Sequence, residues 1–293
     1  MPTTVISQSV TSASPAALDF TLPGFGTPVA CLAMFGQGNV NESPASWMSN
    51  SWGAWAGTVQ TALGVRANNG STTKSFVTVM RSGSILALAS DSSTTDIWQA
   101  QLSAITDGVR ITRTSGSWTN GHIMVMLFSQ EWKAYTTFNV GTSTVFVNCG
   151  FKPDLMIQMT APGFNSRTSG RSAFTMGVCA RPDRNSDASR QHMIGHCMWN
   201  NGITQQMAYD NLTGIIFNAG AGGAPVGKLN VSSFSPSGFT ANVSAGSSTG
   251  CRLFLALESP VGEEVDVRYL TINAGSDLIQ QNMGFKPVTT MCW

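Results

Sequence analysis

The sequence predicts an all-β chain of tandem antiparallel β-sandwich repeats of about 130 residues each, jelly-roll or lectin-like in organisation. Three observations predict it. Two short phrases recur along the chain at a long and nearly constant spacing. Runs rich in Val, Ile, Thr and Phe alternate with clusters of Gly, Ser, Asn and Pro. No long stretch combines helical apolar periodicity with helix caps.

The first phrase marks strand starts. Gly24-Phe25-Gly26-Thr27-Pro28 precedes VACLAMF, Gly150-Phe151-Lys152-Pro153 precedes DLMIQM, and Gly284-Phe285-Lys286-Pro287 precedes VTTMCW. Glycine permits a tight turn, Phe plugs the end of a core, and Pro fits a first strand position because it need not donate there. The three prolines lie 125 and 134 positions apart. In the second phrase, Asp107-Gly108-Val109 precedes RITRTSGSWTNGHIMVMLFS and Ser237-Gly238-Phe239 precedes TANVSAGSSTGCRLFLALES. It reads as a hairpin turn, in the second case between LNVSSF and FTANVS. At an offset of 130, Thr119 falls on Thr249, Ile123 on Leu253, Val125 on Leu255, Leu127 on Leu257 and Ser129 on Ser259.

Other elements follow the same logic. HIMVMLFS alternates only loosely and reads as a strand buried on both faces or a core strand of a sandwich. KSFVTVM, SILALAS, TGIIFNA and STVFVNC read as further strands, and NNGSTT, DSSTTD, AGAGGAPVG and SAGSSTG as short loops. GFNSRTSGRSA and ARPDRNSDASR read as loops at one end of the second repeat. Residues 1–130 form the first repeat, 131–259 the second, and 260–293 the opening strands of a third. A lone hairpin is marginal in water. The last segment therefore completes the second sandwich, pairs with a neighbouring subunit, or opens a longer natural chain; all three readings stay open.

Composition excludes several classes. Of 293 residues 42% are hydrophobic and 11% charged, with a formal net charge of +1; an ordinary soluble chain carries about 25% charged residues. So neutral a chain does not make a nucleic-acid coat, which needs many Lys and Arg. No apolar run reaches the roughly 20 residues of a membrane helix, so no membrane insertion is expected. Met1 to Phe20 holds no Lys or Arg and no continuous apolar block, which excludes a Sec-type signal peptide and points to synthesis in a cytoplasm. Cys31, Cys149, Cys179, Cys197, Cys251 and Cys292 contain no C-x-x-C pair, and several sit inside apolar runs. Reduced, buried thiols are expected. Ser, Thr, Asn, Gln and Gly stand where a free soluble protein carries Lys and Glu. Such a surface is easily desolvated when subunits pack.

Motifs for chemistry are sparse, and neither catalytic residues nor a cofactor is expected. His192, His196 and Cys197 would form a zinc set on a helix, but i and i+4 on a strand lie about 13 Å apart, so no metal is expected. His122 reads as a core-edge or solvated histidine. There is no G-x-S-x-G elbow, phosphate loop or dinucleotide fingerprint. Asp91, Asp96, Asp107, Asp183 and Asp187 read as turn residues, and Glu263, Glu264 and Asp266 as a solvated linker. Arg167, Arg171, Arg181, Arg184 and Arg190 are 5 of 16 basic residues within 24 positions. Loop contacts to an anionic sugar or an acidic partner face are expected from Arg167, Arg171 and Arg184, with Trp199 and Tyr209 beside them. Trp47, Trp52 and Trp55 crowd one segment. Trp47, Trp52 and the terminal Trp293 are the candidate interface residues.

The repeated "GF-x-P" phrase, the turn ending in "GF" and the closing strand LFLALES resemble tandem β-domain proteins of tailed bacteriophages and prophages. The order of elements is also similar to small lectin-type sandwiches. The phage resemblance covers nearly the whole chain and implies a virion component: a tail fibre, a tail-tip or baseplate part, or a capsid decoration. It implies copies of the chain and other virion proteins as partners, with a host surface glycan as a further one. It transfers no catalytic residues. The first repeat departs from the phrase by one extra residue and lacks the Lys. A glycan-binding adhesin is the alternative function, and a polysaccharide depolymerase a third, which would need carboxylates converging in a groove.

Overall fold

The computed structural model describes residues 3–37, 47–68, 75–90, 96–141, 143–161, 167–169, 171–181, 191–199, 205–210, 214–217, 225–245, 250–262 and 265. These residues form strands and turns, with no helix among them. The first ten strands are β1 (Thr3–Val10), β2 (Ala17–Thr21), β3 (Ala30–Gln37), β4 (Trp47–Ala56), β5 (Val59–Asn68), β6 (Ser75–Ser82), β7 (Leu86–Leu88), β8 (Trp98–Ile105), β9 (Gly108–Gly116) and β10 (Gly121–Phe128). Then follow β11 (Lys133–Gly141), β12 (Val145–Asn148), β13 (Leu155–Ala161), β14 (Arg167–Ser169), β15 (Arg171–Ala180) and β16 (Gln191–Trp199). The last are β17 (Gln205–Asp210), β18 (Gly214–Phe217), β19 (Pro225–Ser235), β20 (Gly238–Ala245) and β21 (Gly250–Glu258).

Four antiparallel sheets result. The large ones run β1-β10-β3-β4-β5-β6-β14 and β11-β21-β13-β15-β16-β17; the small ones run β2-β9-β8-β7 and β12-β20-β19-β18. Setting β1 against β11, β10 against β21 and β3 against β13, and so on along the chain, makes both pairs of orders coincide. Among the described strands only β14 has no counterpart. It leaves the second half of the chain and pairs with β6 of the first, Arg167 opposite Val79.

Three cores separate four layers. One lies between the seven-stranded sheet and its small sheet, where Phe35, Trp98 and Trp118 meet edge to face at 4.9 Å for each neighbouring pair. Another lies between the six-stranded sheet and its small sheet, around Phe239, Phe254 and Met156. The third joins the two large sheets: Leu32, Leu63, Val65 and Met80 pack against Ile157, Met159, Leu253 and Leu255. Strand β3 shows why its sequence is an unbroken apolar run. Cys31, Ala33 and Phe35 serve the first core, while Ala30 and Leu32 serve the third.

The recurring phrases act as turn chemistry. Gly24, Gly26 and Gly150 hold φ near +80° (79, 82 and 78), and Phe25 and Phe151 are buried at the ends of the first and second cores. Pro28 and Pro153 stand two residues before β3 and β13. The third phrase, residues 284–287, lies outside the described residues. At the hairpins the positive φ of 60° falls on Asp107 rather than Gly108. Gly108 and Gly238 answer a different need: a Cβ there would stand 2.0 Å from the Phe20 carbonyl and 1.9 Å from the Val147 carbonyl.

A shared clamp holds large sheet to small sheet in both halves. The amide of Leu102 donates to Gln60 Oε1 at 2.8 Å, and Gln60 Nε2 donates to the Leu102 carbonyl at 3.4 Å. The amide of Val231 donates to Gln191 Oε1 at 2.7 Å, and Gln191 Nε2 donates to the Val231 carbonyl at 2.9 Å. Gln60 precedes β5 position Thr61 as Gln191 precedes β16 position His192, and β5 and β16 occupy the same place in their sheets.

The registers correct two sequence expectations. The closing strands do not match at an offset of 130. Leu127 lies opposite Cys31, and Ala256 lies opposite Met156. Since Cys31 and Met156 share the 125 spacing of the prolines, the equivalent of Leu127 is Ala256, at 129. One residue of slip moves a side chain to the other face, which is why Leu255 and Leu257 serve the third core and not the second. The stretch GFNSRTSGRSA is also not all loop, since Arg167–Ser169 and Arg171–Ala180 are strands. Three residues of Arg, Thr and Ser pair well at a sheet edge without needing a core face.

Candidate functional site

Four of the five expected loop contacts sit on strands. Arg167 is on β14, Arg171 on β15, Trp199 on β16 and Tyr209 on β17. Ladder formation overrides their polar neighbours. The register sets Arg171 opposite Trp199, while Arg167 pairs opposite Val79 at the edge of the other large sheet. Tyr209 lies opposite Ile194, five residues from Trp199 along β16 and about 17 Å away. Arg184 and Arg190 lie outside the described residues.

The tryptophans divide. Trp55 belongs to the first core. Trp52 is half-buried, its ring 4.7 Å from that of Phe174 across the junction of the two large sheets. Its contact is therefore within the chain. Trp47 begins β4, and Trp293 lies outside the described residues.

Several charged groups are consumed inside the fold. Arg181, expected in the arginine contact patch, reaches Asp154 at 2.8 Å, with Asp154 almost wholly buried. The same carboxylate accepts from the Ser259 amide at 2.9 Å and the Ser259 hydroxyl at 2.8 Å. Asp96 is engaged by side chains of the fold as well. It takes a two-pronged contact from Arg81 at 2.8 and 3.1 Å and a hydrogen bond from Gln99 at 2.9 Å. Asp107 sits in the β8–β9 turn, and its carboxylate reaches across to a different turn, accepting from the Gly26 amide at 2.9 Å. Asp19 and Arg110 pair on the exposed surface of the small sheet; the guanidinium hydrogen bonds hold the Asp19 carboxyl below its usual range. Asp91, Asp183, Asp187, Glu263, Glu264 and Asp266 lie outside the described residues. Sequence reading missed Asp154 because its partner Ser259 is 105 positions away. An acid between Pro153 and an apolar strand was the available signal.

The histidines and cysteines whose side chains are described sit in structural surroundings. His122 is exposed at the start of β10, its Nδ1 3.2 Å from Ser9 Oγ. His192 and His196 are four residues apart on β16, too far to share an ion on a strand. Among the described residues no three of His, Cys, Asp and Glu gather to hold a metal. Burial pushes the Cys31 thiol far above its ordinary range, and burial also raises that of Cys149. Among the described residues no helix is long and apolar enough to cross a membrane.

What remains is a surface. Alternate residues of β1 and β10 point away from the small sheet: Thr3, Val5, Ser7 and Ser9 on one, His122, Met124, Met126 and Phe128 on the other. Phe128 and Met126 run into the third core. Val5 and Met124 do not, and are among the exposed large apolar residues, as is Ile194 on β16. No Asp, Glu, Lys or Arg stands at these β1 and β10 positions. No family model matches the chain, and no curated protein or solved structure is significantly similar to it.

Proposed function

We propose that the chain is a non-enzymatic structural protein of a tailed-phage virion, a tail fibre, tail-tip, baseplate or capsid-decoration component, acting by assembly with copies of itself. Its architecture is read as two tandem copies of one jelly-roll or lectin-like sandwich unit, followed by the opening of a third. The observation that carries the reading is the recurrence of one unit, including its Gln60 and Gln191 clamps, joined to its neighbour by an apolar sheet-on-sheet contact. A unit that already stacks on itself within one chain is suited to stack between chains. The low charge and the burial of Asp96 and Asp154 in pairs support a surface that desolvates readily. Native mass spectrometry of the full chain tests this: oligomers are expected, and a protein that stays monomeric at high concentration and fails to associate with phage particles overturns it.

A second reading is favoured by the register that sets Arg171 opposite Trp199. An arginine and a tryptophan at paired strand positions are residue types that suit an anionic sugar, which makes a host-recognition adhesin. Binding to a glycan array that is lost in Arg171→Ala supports it, and binding unchanged by that substitution sinks it.

A further inference from the structure

We infer that two copies of the chain join across a two-fold axis, the β1–β10 face of each seating on the β1–β10 face of the other, with β1 of each copy beside β11 of its partner. This rests on the assembly reading above and names the surface. The two large sheets are stacked out of step: β11 and β21 lie on β4, and β15 lies on β6. In the seven-stranded sheet β3, β10 and β1 follow one another outward from β4. Strands β10 and β1 therefore project past β11, which is the end strand of its own sheet among the described strands. The result is a step. Its floor is the face of β1 and β10 that points away from the small sheet, and its riser is the outer edge of β11. Strand β1 ends the other large sheet in the same way, so both edges present backbone groups with no strand beside them among those described.

The equivalent face of the second half is covered by a sheet. Val5 lies opposite Met126 as Thr136 lies opposite Leu255; Thr136 is 3% exposed beneath the first large sheet, and Val5 is 45% exposed. Met124 lies opposite Met34 as Leu253 lies opposite Met159; Leu253 is 1% exposed and Met124 39%. The open face continues the third core, which Met126 and Phe128 already border. A covering layer must therefore sit level with the second large sheet and against β11. A second copy supplies such a layer. Turned by half a rotation about an axis along the strands, it brings its own β1–β10 overhang into the step, one sheet thick into one sheet deep. Its β1 then comes to the outer edge of β11, its β11 comes to the outer edge of β1, and both large sheets run on across the pair. Strand addition is how the fold closes the other end of the seven-stranded sheet, where β14 pairs with β6. A face that meets itself must also avoid bringing like charges together, and no Asp, Glu, Lys or Arg stands on this side of β1 and β10. Both copies use the same patch, so the contact closes at two chains.

The test uses the full chain with Val5→Lys and Met124→Glu, each at an exposed site, and Ser7→Arg, which removes no apolar group from the same face. Native mass spectrometry of the unaltered chain is expected to show a dimer of twice 31.0 kDa. Each variant alone is expected to fall to monomers while its far-UV circular dichroism stays unchanged. In the two-fold arrangement β1 of one copy faces β10 of the other. An equal mixture of Val5→Lys and Met124→Glu therefore sets opposite charges against each other and is expected to recover the dimer. Hydrogen exchange over β1 and β11 is expected to be slower in the unaltered dimer than in the Met124→Glu monomer. Oligomers that persist in all three variants overturn this surface and leave the assembly reading standing. A mixture that stays monomeric, a trimer as the smallest assembly, or β11 amides that exchange equally in dimer and monomer overturns the two-fold arrangement. An unaltered chain that stays monomeric overturns both the surface and the assembly reading.

Discussion

Replacing the clamp glutamines tests the claim that one unit occurs twice. In Gln60→Leu, the buried Leu102 amide loses its 2.8 Å acceptor, and its carbonyl loses only a long 3.4 Å donor. An orphaned buried amide costs about 1–3 kcal/mol, and a stretched bond adds little, so a loss of about 1–2 kcal/mol is expected. In Gln191→Leu, the Val231 amide and carbonyl both lose short partners, at 2.7 and 2.9 Å. A loss of about 2–4 kcal/mol is expected from the two groups. Leucine keeps the volume close to that of glutamine, which leaves the hydrogen bonds as the main change. A stack of layers need not unfold in two states, so the sharper assay is local hydrogen exchange by mass spectrometry. Peptides covering Leu102 should lose protection in Gln60→Leu alone, and those covering Val231 in Gln191→Leu alone. Unchanged protection at Leu102 and Val231, or the same global loss in both variants, would refute the idea of two local, equivalent clamps.

Four further outcomes are expected. Asp154→Ala removes the carboxylate facing Arg181 and Ser259 from an almost wholly buried site and should cost about 3–5 kcal/mol, read as a lower urea midpoint; Arg181→Ala should cost a comparable amount, because the charge it leaves behind is the more buried one. Gly53→Ala should prevent native folding, since a Cβ there would stand 1.7 Å from the Ile85 carbonyl where β7 crosses the sheet; a soluble variant with the normal exchange pattern would contradict that crossing. The Asp19 carboxyl is depressed by Arg110, so the pair's contribution is present at neutral pH and is lost as pH falls through the lowered folded value. Being exposed, it should leave the urea midpoint of Asp19→Asn close to that of the unaltered chain at pH 7 and physiological salt. Cys31 should resist alkylation in the native state and react after unfolding, as peptide mapping would show.

The strands and turns were legible because their signals are local. Gly24-Phe25, Gly150-Phe151, Asp107-Gly108 and Ser237-Gly238 announce turns by residue types that few other conformations require. The unbroken run ACLAMF in β3 was a sign of burial on both faces. It could not say that the second cover was the other large sheet, because that contact joins strands distant in the chain. The arginine stretch misled for a related reason. Arg167 and Arg171 look like loop residues by composition, yet a ladder needs backbone groups, and edge pairing with β6 accepts polar side chains. Asp154 and Gln60 escaped notice because neither belongs to a motif; each is defined only by a partner brought near by the fold.

The one-residue discrepancy between halves shows which forces set the register. The hairpin strands β9 and β20 follow the 130 spacing of Gly108 and Gly238, while β10 and β21 follow 129, as Gly121 and Gly250 do. The stretch from β20 to β21 is thus one residue shorter than that from β9 to β10. The different packing of its two faces, and not connection length, must hold β21 in place, since a slip would move Leu253, Leu255 and Leu257 out of the third core at once. Inserting one Ser after Ser247 restores equal spacing. Loop closure changes by only a few tenths of a kcal/mol for so small an increment, roughly 0.6 kcal/mol being the cost of a full doubling in length. The urea midpoint should therefore hold nearly constant, and alkylation of Cys31 should stay slow. A fall of several kcal/mol would show instead that the connection itself dictates the register, and the face-by-face correspondence behind the two-fold contact would have to be redrawn.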